Sequence, residues 1–230
     1  MYKIAIITGI LMMTVATSVN ALPTLKVTLQ GVDSDGFIEP QYAYCIPDNT
    51  GHSASGQNMS IGIEWTAGPA TTKSYAIIAV DNDVPADFSN ANKEGKTLSV
   101  SQVRRPFYHW ILADIPVTVT SIAPGADSKS TAAKPVGETP YGVRAINDYS
   151  MGATIHGGYD GPCPPWNDLR MHHYHFTVYA LNVDKISGAA NMTGEQFIKA
   201  ATPHIVAAGE AVGKYTLTPA LMRKVSQAAQ

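Results

Sequence analysis

Residues 157–176 read GGYDGPCPPWNDLRMHHYHF. Pro162, Pro164 and Pro165, reached through Gly157, Gly158 and Gly161, exclude a helix, and proline supplies no N–H to a central strand ladder. What remains is a stiff loop with most of its φ angles preset. It leads into MHHYHFTVYAL, where β-branched and aromatic residues mark a strand from about His172 to Val183. Side chains alternate along a strand, so His172, Tyr174 and Phe176 share one face and His173 and His175 the other. A rigid loop therefore delivers a histidine and a tyrosine side by side at a strand start, which suits a ligand.

Upstream, Tyr108–Ala113 (YHWILA) and Ser74–Val80 (SYAIIAV) are apolar runs. The second suits a strand covered on both faces. Leu22–Ile38 alternates and then turns at Asp33-Ser34-Asp35-Gly36, as a strand and turn do. Pro40–Ser60 reads as an irregular connection, Ile61–Trp65 as a short strand, and Ile115–Tyr149 as mostly loop. Helical punctuation appears only late. Thr193 and Gln196 form a capping box, and Phe197, Ile198, Ala201, Ile205, Ala208 and Val212 recur at helical spacing. Pro203 kinks or splits that helix, Gly213 is its expected C-cap, and Lys214–Leu217 a last short strand. The fold class is mainly β, antiparallel, with a helix packed on it.

The chain has 230 residues and is 45% hydrophobic, enough for one full core. Its first stretch, MYKIAIITGILMMTVATSVNA, carries one charge, Lys3, ahead of an apolar run from Ile4 to Val19. Val19-Asn20-Ala21 fits the small-x-small rule, so residues 1–21 are read as a secretory signal cut after Ala21, with an uncleaved anchor as the alternative. The run is short for a span of about 20 residues. Residues 22–230 are then a single domain. Without Lys3 there are 15 basic and 18 acidic residues, a net charge of −3. That balance, with no basic run, argues against nucleic acid and against charge-driven attachment to anionic lipid. Cys45 and Cys163 form either a disulfide or two buried thiols.

Four groups of residues carry chemistry. Asp81-Asn82-Asp83-Val84-Pro85 leaves a buried strand with two carboxylates at i and i+2, which alternation aims to one side; plain turn chemistry is the alternative. His109 opens YHWILA, where a hydrogen-bonded structural role is the bland reading. In Gly161-Pro162-Cys163-Pro164-Pro165 only Gly161 and Cys163 keep an N–H, and two free donors on a stiff loop form a small anion nest. His172-His173-Tyr174-His175 lacks the convergent third and fourth ligands that zinc requires, so no metal or cofactor is expected. The GxSxG nucleophile elbow is absent.

In this order the segments resemble the phosphatidylethanolamine-binding protein (PEBP) family, particularly its bacterial YbhB/YbcL branch. The matching motifs are Asp81-Asn82-Asp83-Val84-Pro85, His109-Trp110, Asn147-Asp148-Tyr149, Gly158–Pro165 and His172-His173-Tyr174-His175-Phe176. Weaker echoes are Gly56–Ser60 and Thr72–Ala76. The resemblance implies antiparallel β-sheets with peripheral helices, including one near the C-terminus, and a pocket for an anion such as the phosphate head group of phosphatidylethanolamine. Carried over by motif, its ligand-binding residues are Asp81, His109, Gly161, Cys163, Pro164, His172 and Tyr174. The segment between Pro85 and His109 is longer than the family's, which implies an extra loop at about 86–107 beside the pocket.

The resulting expectation is a secreted or periplasmic protein that binds small phosphate- or carboxylate-bearing ligands, with binding that strengthens as histidines protonate near pH 6.5. An alternative is a modulator of a protein partner such as a protease, acting through loop 86–107 as the family's kinase-inhibitor and protease-inhibitor members suggest. No catalytic residue is assigned. A hydrolase using His109 beside Asp81 would lack a nucleophile and an oxyanion hole.

Overall fold

The structure is a computed structural model that describes residues 22–222. The secretory segment read at residues 1–21, with its cleavage point, lies outside the described residues.

Among the described residues, every pairing between the named strands is antiparallel. In chain order the strands are β1 (Val27–Gln30), β2 (Cys45–Asp48), β3 (His52–Ser55), β4 (Gly62–Trp65), β5 (Ser74–Pro85), β6 (Arg104–Pro116), β7 (Ser121–Ile122), β8 (Gly137–Thr139), β9 (Gly142–Arg144), β10 (His172–Leu181) and β11 (Ile205–Tyr215). The large sheet runs β11-β10-β5-β6-β9-β8, a second sheet runs β1-β4-β7, and β2 and β3 form a hairpin.

The apolar run of β5 is explained by cover on both faces. Tyr75, Ile77 and Ala79 join Trp110, Leu112, Phe176 and Val178 in a core closed by Ile63 and Trp65 from the second sheet and by Ile61 just ahead of it. Ala76 and Ile78 face the other way, toward Ile111, Phe197 and Ala201. A sheet-on-sheet core thus lies on one side and a helix-on-sheet core on the other.

That helix, α1 (Gly194–Ala201), starts with the capping box expected: Thr193 accepts from the Gln196 N–H, and the Gln196 side chain accepts from the Thr193 N–H. Such a cap contributes about 1 kcal/mol. The helix ends at Ala201 rather than near Val212. A short 3-10 turn carries Pro203, and β11 then pairs with β10 from His172↔Tyr215 to Leu181↔Ile205. Ile205, Ala208 and Val212 do fall at helical spacing, but the alanines and glycines between them fit a strand equally well, and pairing with β10 decides the outcome. Gly213 is no C-cap; it lies mid-strand, where a Cβ would stand 2.6 Å from Ile38 Cγ1. The connection read at Pro40–Ser60 holds the β2–β3 hairpin, and Pro47 sits on that short, exposed ribbon, where proline costs least.

Candidate functional site

The site forms where β5, β6 and β10 end together. Tyr174 stands directly opposite Asp81 across the β10–β5 ladder, so both point into the sheet-on-sheet side, and His172 joins them two residues earlier. The His109 side chain arrives by a different device. Val80 pairs with Tyr108 and Ala79 with Trp110, which leaves His109 as an extra residue on β6. Such a bulge lets two successive side chains face one way. Trp110 packs in the sheet-on-sheet core, and the His109 ring meets Tyr174 edge-on at 5.1 Å.

Asp81 and Asp83 do not converge as alternation implied. A register shift between Asp81 and Val84 breaks the period, and the Asp83 N–H folds back onto Asp81 Oδ1 at 2.7 Å. The carboxylates therefore serve successive residues on opposite faces of β10. Asp83 accepts from the His173 N–H and from Nδ1 of its ring, and also holds Arg170. Burial alone would raise the Asp83 carboxyl, but the bonds from His173 and Arg170 outweigh it and hold it below the usual range.

Asp81 pairs with His172, whose Nδ1 lies 2.6 Å from Asp81 Oδ2, while its Nε2 lies 3.2 Å from Asp168 Oδ2. Carboxylates only accept, so both ring nitrogens donate and the ring is an imidazolium. Desolvation opposes that charge, but the bonds to Asp168 and Asp81 prevail and lift its pKa to about 9. Arg104 closes the row with a two-pronged contact to Asp168. This buried line of alternating charges, Arg104–Asp168–His172–Asp81, occupies both nitrogens of His172. The ring fixes the Asp81 carboxylate and has no N–H left for a ligand.

His109 and Tyr174 are the reverse case. The His109 ring is buried, and its Nδ1 donates to the Asp160 carbonyl at 2.8 Å. Its Nε2 and the Tyr174 hydroxyl are both buried with no hydrogen-bond partner. Each orphaned polar atom costs about 1–3 kcal/mol, so two in adjacent rings mark a place shaped for something else. Burial pushes the His109 pKa down and both the Tyr174 and Tyr149 hydroxyls well up. Phe107 and Tyr149, both half-buried, pack against the His109 ring at 5.0 and 5.6 Å and against each other edge-on. The polar group is therefore covered by aromatic rings. Two surface clefts among the described residues, of about 470 and 370 Å³, lie elsewhere, one at Phe37 and Tyr215 and the other at Asp127 and Lys134.

The proline loop sits against this group. Tyr149 donates its hydroxyl to the Gly161 carbonyl at 2.7 Å. The Gly161 N–H is not free for an anion, because it donates to Asn58 Oδ1 at 2.7 Å, so of the two nest donors only the Cys163 N–H remains. Pro164 is buried. Cys163 is joined to Cys45 as a disulfide with Cα atoms 4.7 Å apart, which decides between the two readings of the cysteines and staples the loop to the β2–β3 hairpin. Beneath it, Asp160 is fully buried and takes four donors: Asn58 Nδ2, Lys134 Nζ, Asn147 Nδ2 and His156 Nδ1. Its carbonyl holds His109. Sequence reasoning assigned no role to Asp160, Asp168 or Arg104; Asp160 and Asp168 lie within residues 157–176, but nothing there announced their distant partners.

The extra loop is docked rather than loose. Asn167 Nδ2 caps the carbonyls of Asn90, Lys93 and Lys96, and Leu98 is buried beside it. Phe88, Val100 and Val103 remain exposed.

The sequence profile of the phosphatidylethanolamine-binding protein family matches residues 30–216. The chain belongs to that family. Escherichia coli K12 YbcL is 30% identical over 63% of this chain and 64% of its own length. A Chlamydia pneumoniae UPF0098 protein is 26% identical over 78% of this chain and 97% of its own. YbhB of E. coli K12 is 28% identical over 59% and 68%. Among solved structures, E. coli YbcL, described as a new member of the mammalian PEBP family, superposes with a TM-score of 0.61 at 25% identity, covering 84% of this chain and 98% of that one. A PEBP homologue from Chlamydia trachomatis shares the fold, at a TM-score of 0.57 and 23% identity over 84% and 97%. The PEBP fold of antiparallel sheets with a helix near the C-terminus is thus the one this chain adopts.

Proposed function

We propose that this PEBP-family protein is a secreted or periplasmic carrier of small phosphate-bearing ligands, held by Tyr174, His109 and the Cys163 N–H beside Asp81. The observation that supports it most is the pair of buried, unpartnered polar atoms, His109 Nε2 and Tyr174 Oη, in adjacent rings under the proline loop. The Cys45–Cys163 disulfide suits an oxidising compartment, in keeping with the signal-like start of the sequence. A ligand reaches the site when Phe107 or Tyr149 swings aside. We assign no catalytic step.

Histidine protonation is not the source of affinity in this reading, since His172 is already charged and spent on Asp81 and Asp168. Calorimetry with phosphorylethanolamine tests the site. The double variant His109→Ala/Tyr174→Phe should lose binding, and equal affinity in both proteins would refute the assignment.

A second reading, modulation of a protease, draws on the exposed apolar side chains Phe88, Val100 and Val103 of the docked loop. Inhibition measured against periplasmic proteases should weaken in a Phe88→Ser/Val103→Ser variant. Arg104 is unsuitable for such a test, because it anchors Asp168.

A further inference from the structure

We infer that this site selects ligands that bring their own acidic proton, a phosphomonoester in its monoanionic form, over phosphodiesters and sulfate esters of the same shape. The inference rests on the carrier reading above and narrows it to one ligand class.

The site offers bare lone pairs as well as donors. His109 Nδ1 faces a backbone carbonyl, which can only accept, so Nδ1 carries the hydrogen. In the neutral ring Nε2 is then a bare lone pair. Burial favours that neutral ring. Asp81 adds a second acceptor. Its Oδ1 takes the Asp83 N–H and its Oδ2 the His172 ring, and each oxygen keeps a further lone pair. Of all charged groups, Asp81 acts most strongly on both His109 and Tyr174. Against these stands the unpartnered Tyr174 hydroxyl, to which the proposal adds the Cys163 N–H of the adjoining proline loop. A fully deprotonated oxyanion would turn oxygens toward a lone pair and a carboxylate, which a buried site punishes. A P–OH group turns that clash into a hydrogen bond to Nε2 or Asp81, while the remaining phosphoryl oxygens accept from Tyr174 and Cys163.

The titratable and charged groups facing His109 and Asp81 are few. From β10 come His172 and Tyr174, and from the loops Tyr149, Asp148 and Asp160. His172, with its pKa near 9, stays charged through neutral pH, and the tyrosines keep their hydrogens. The proton that changes hands between pH 6 and 8 is then the ligand's own, since a phosphomonoester loses its second proton near pH 6.

The test uses the full disulfide-bonded protein and three probes with the same ammonium: O-phosphorylethanolamine, 2-aminoethyl sulfate and glycerophosphoethanolamine. Calorimetry at pH 6, 7 and 8 should show phosphorylethanolamine affinity falling by about tenfold per unit above pH 6. The other two should bind at least about tenfold more weakly at pH 6 and show no such slope. In His109→Gln, whose amide can present an N–H, the preference over the sulfate ester should shrink. If the three probes bind alike, or phosphorylethanolamine binds equally at pH 6 and 8, the proton requirement is overturned while the carrier reading stands. If none binds at any pH, both fall.

Discussion

Replacing His172 with glutamine probes the charged row at its centre. In the folded protein this ring keeps its proton up to about pH 9, whereas an unfolded histidine releases it near 6.5. The folded state therefore binds one more proton across that interval, and stability falls as pH rises, by about 1.4 kcal/mol per unit. The contribution is fully present below pH 6.5 and lost as pH passes through about 9, in total roughly 3 kcal/mol. The His172 side chain is 1% exposed, so solvent screening removes little of it. The amide of His172→Gln cannot titrate, and it leaves Asp81 and Asp168 facing each other without a cation between them. Breaking a buried charge set this way costs about 3–5 kcal/mol. Urea unfolding followed by tryptophan fluorescence between pH 6 and 9.5 measures both effects. The wild-type advantage should be greatest near pH 6 and shrink steadily toward pH 9. Parallel curves with a constant gap would refute the claim that His172 is held as an imidazolium.

Further outcomes follow from the loop. A Cβ at position 161 would stand 2.1 Å from the Tyr42 carbonyl oxygen, so Gly161→Ala should destabilise by about 1–3 kcal/mol and weaken phosphorylethanolamine binding; thermal melts and calorimetry read both. Reducing Cys45–Cys163 opens a closure of 118 residues, worth roughly 5 kcal/mol by chain entropy, and the melting temperature should drop in a reducing agent but not in the Cys45→Ser/Cys163→Ser protein. Asp160→Ala strips four buried donors of their acceptor and should cost about 3–5 kcal/mol in urea unfolding.

How much of this was legible depended on whether local pattern or distant partners set the outcome. The run Ser74–Val80 and the alternation His172–Phe176 carried their burial in their own spacing, and the Thr193 capping box was complete within four residues. The proline loop declared itself by its missing N–H groups. β11 did not, because Ala207, Ala208, Gly209, Ala211 and Gly213 fit either period; its identity comes from pairing with β10 and from close approach to Leu25 and Ile38. The parity of His109 and of Asp83 was hidden by two register shifts that no local signal marks. Asp160 carried no signal of its own, yet it organises the site through Asn58, 102 positions earlier. The ties of His172 were hidden for the same reason: its partners Asp81 and Asp168 are seen only once the strands meet.

A crystal structure of the oxidised protein with phosphorylethanolamine at pH 6 would show the occupant of the site outright. The phosphoryl group should lie within hydrogen-bond reach of Tyr174 Oη, His109 Nε2 and the Cys163 N–H, with the Phe107 or Tyr149 ring displaced. A ligand seated instead in the cleft at Phe37 and Tyr215, with His109 and Tyr174 still closed beneath their aromatic cover, would contradict the carrier reading.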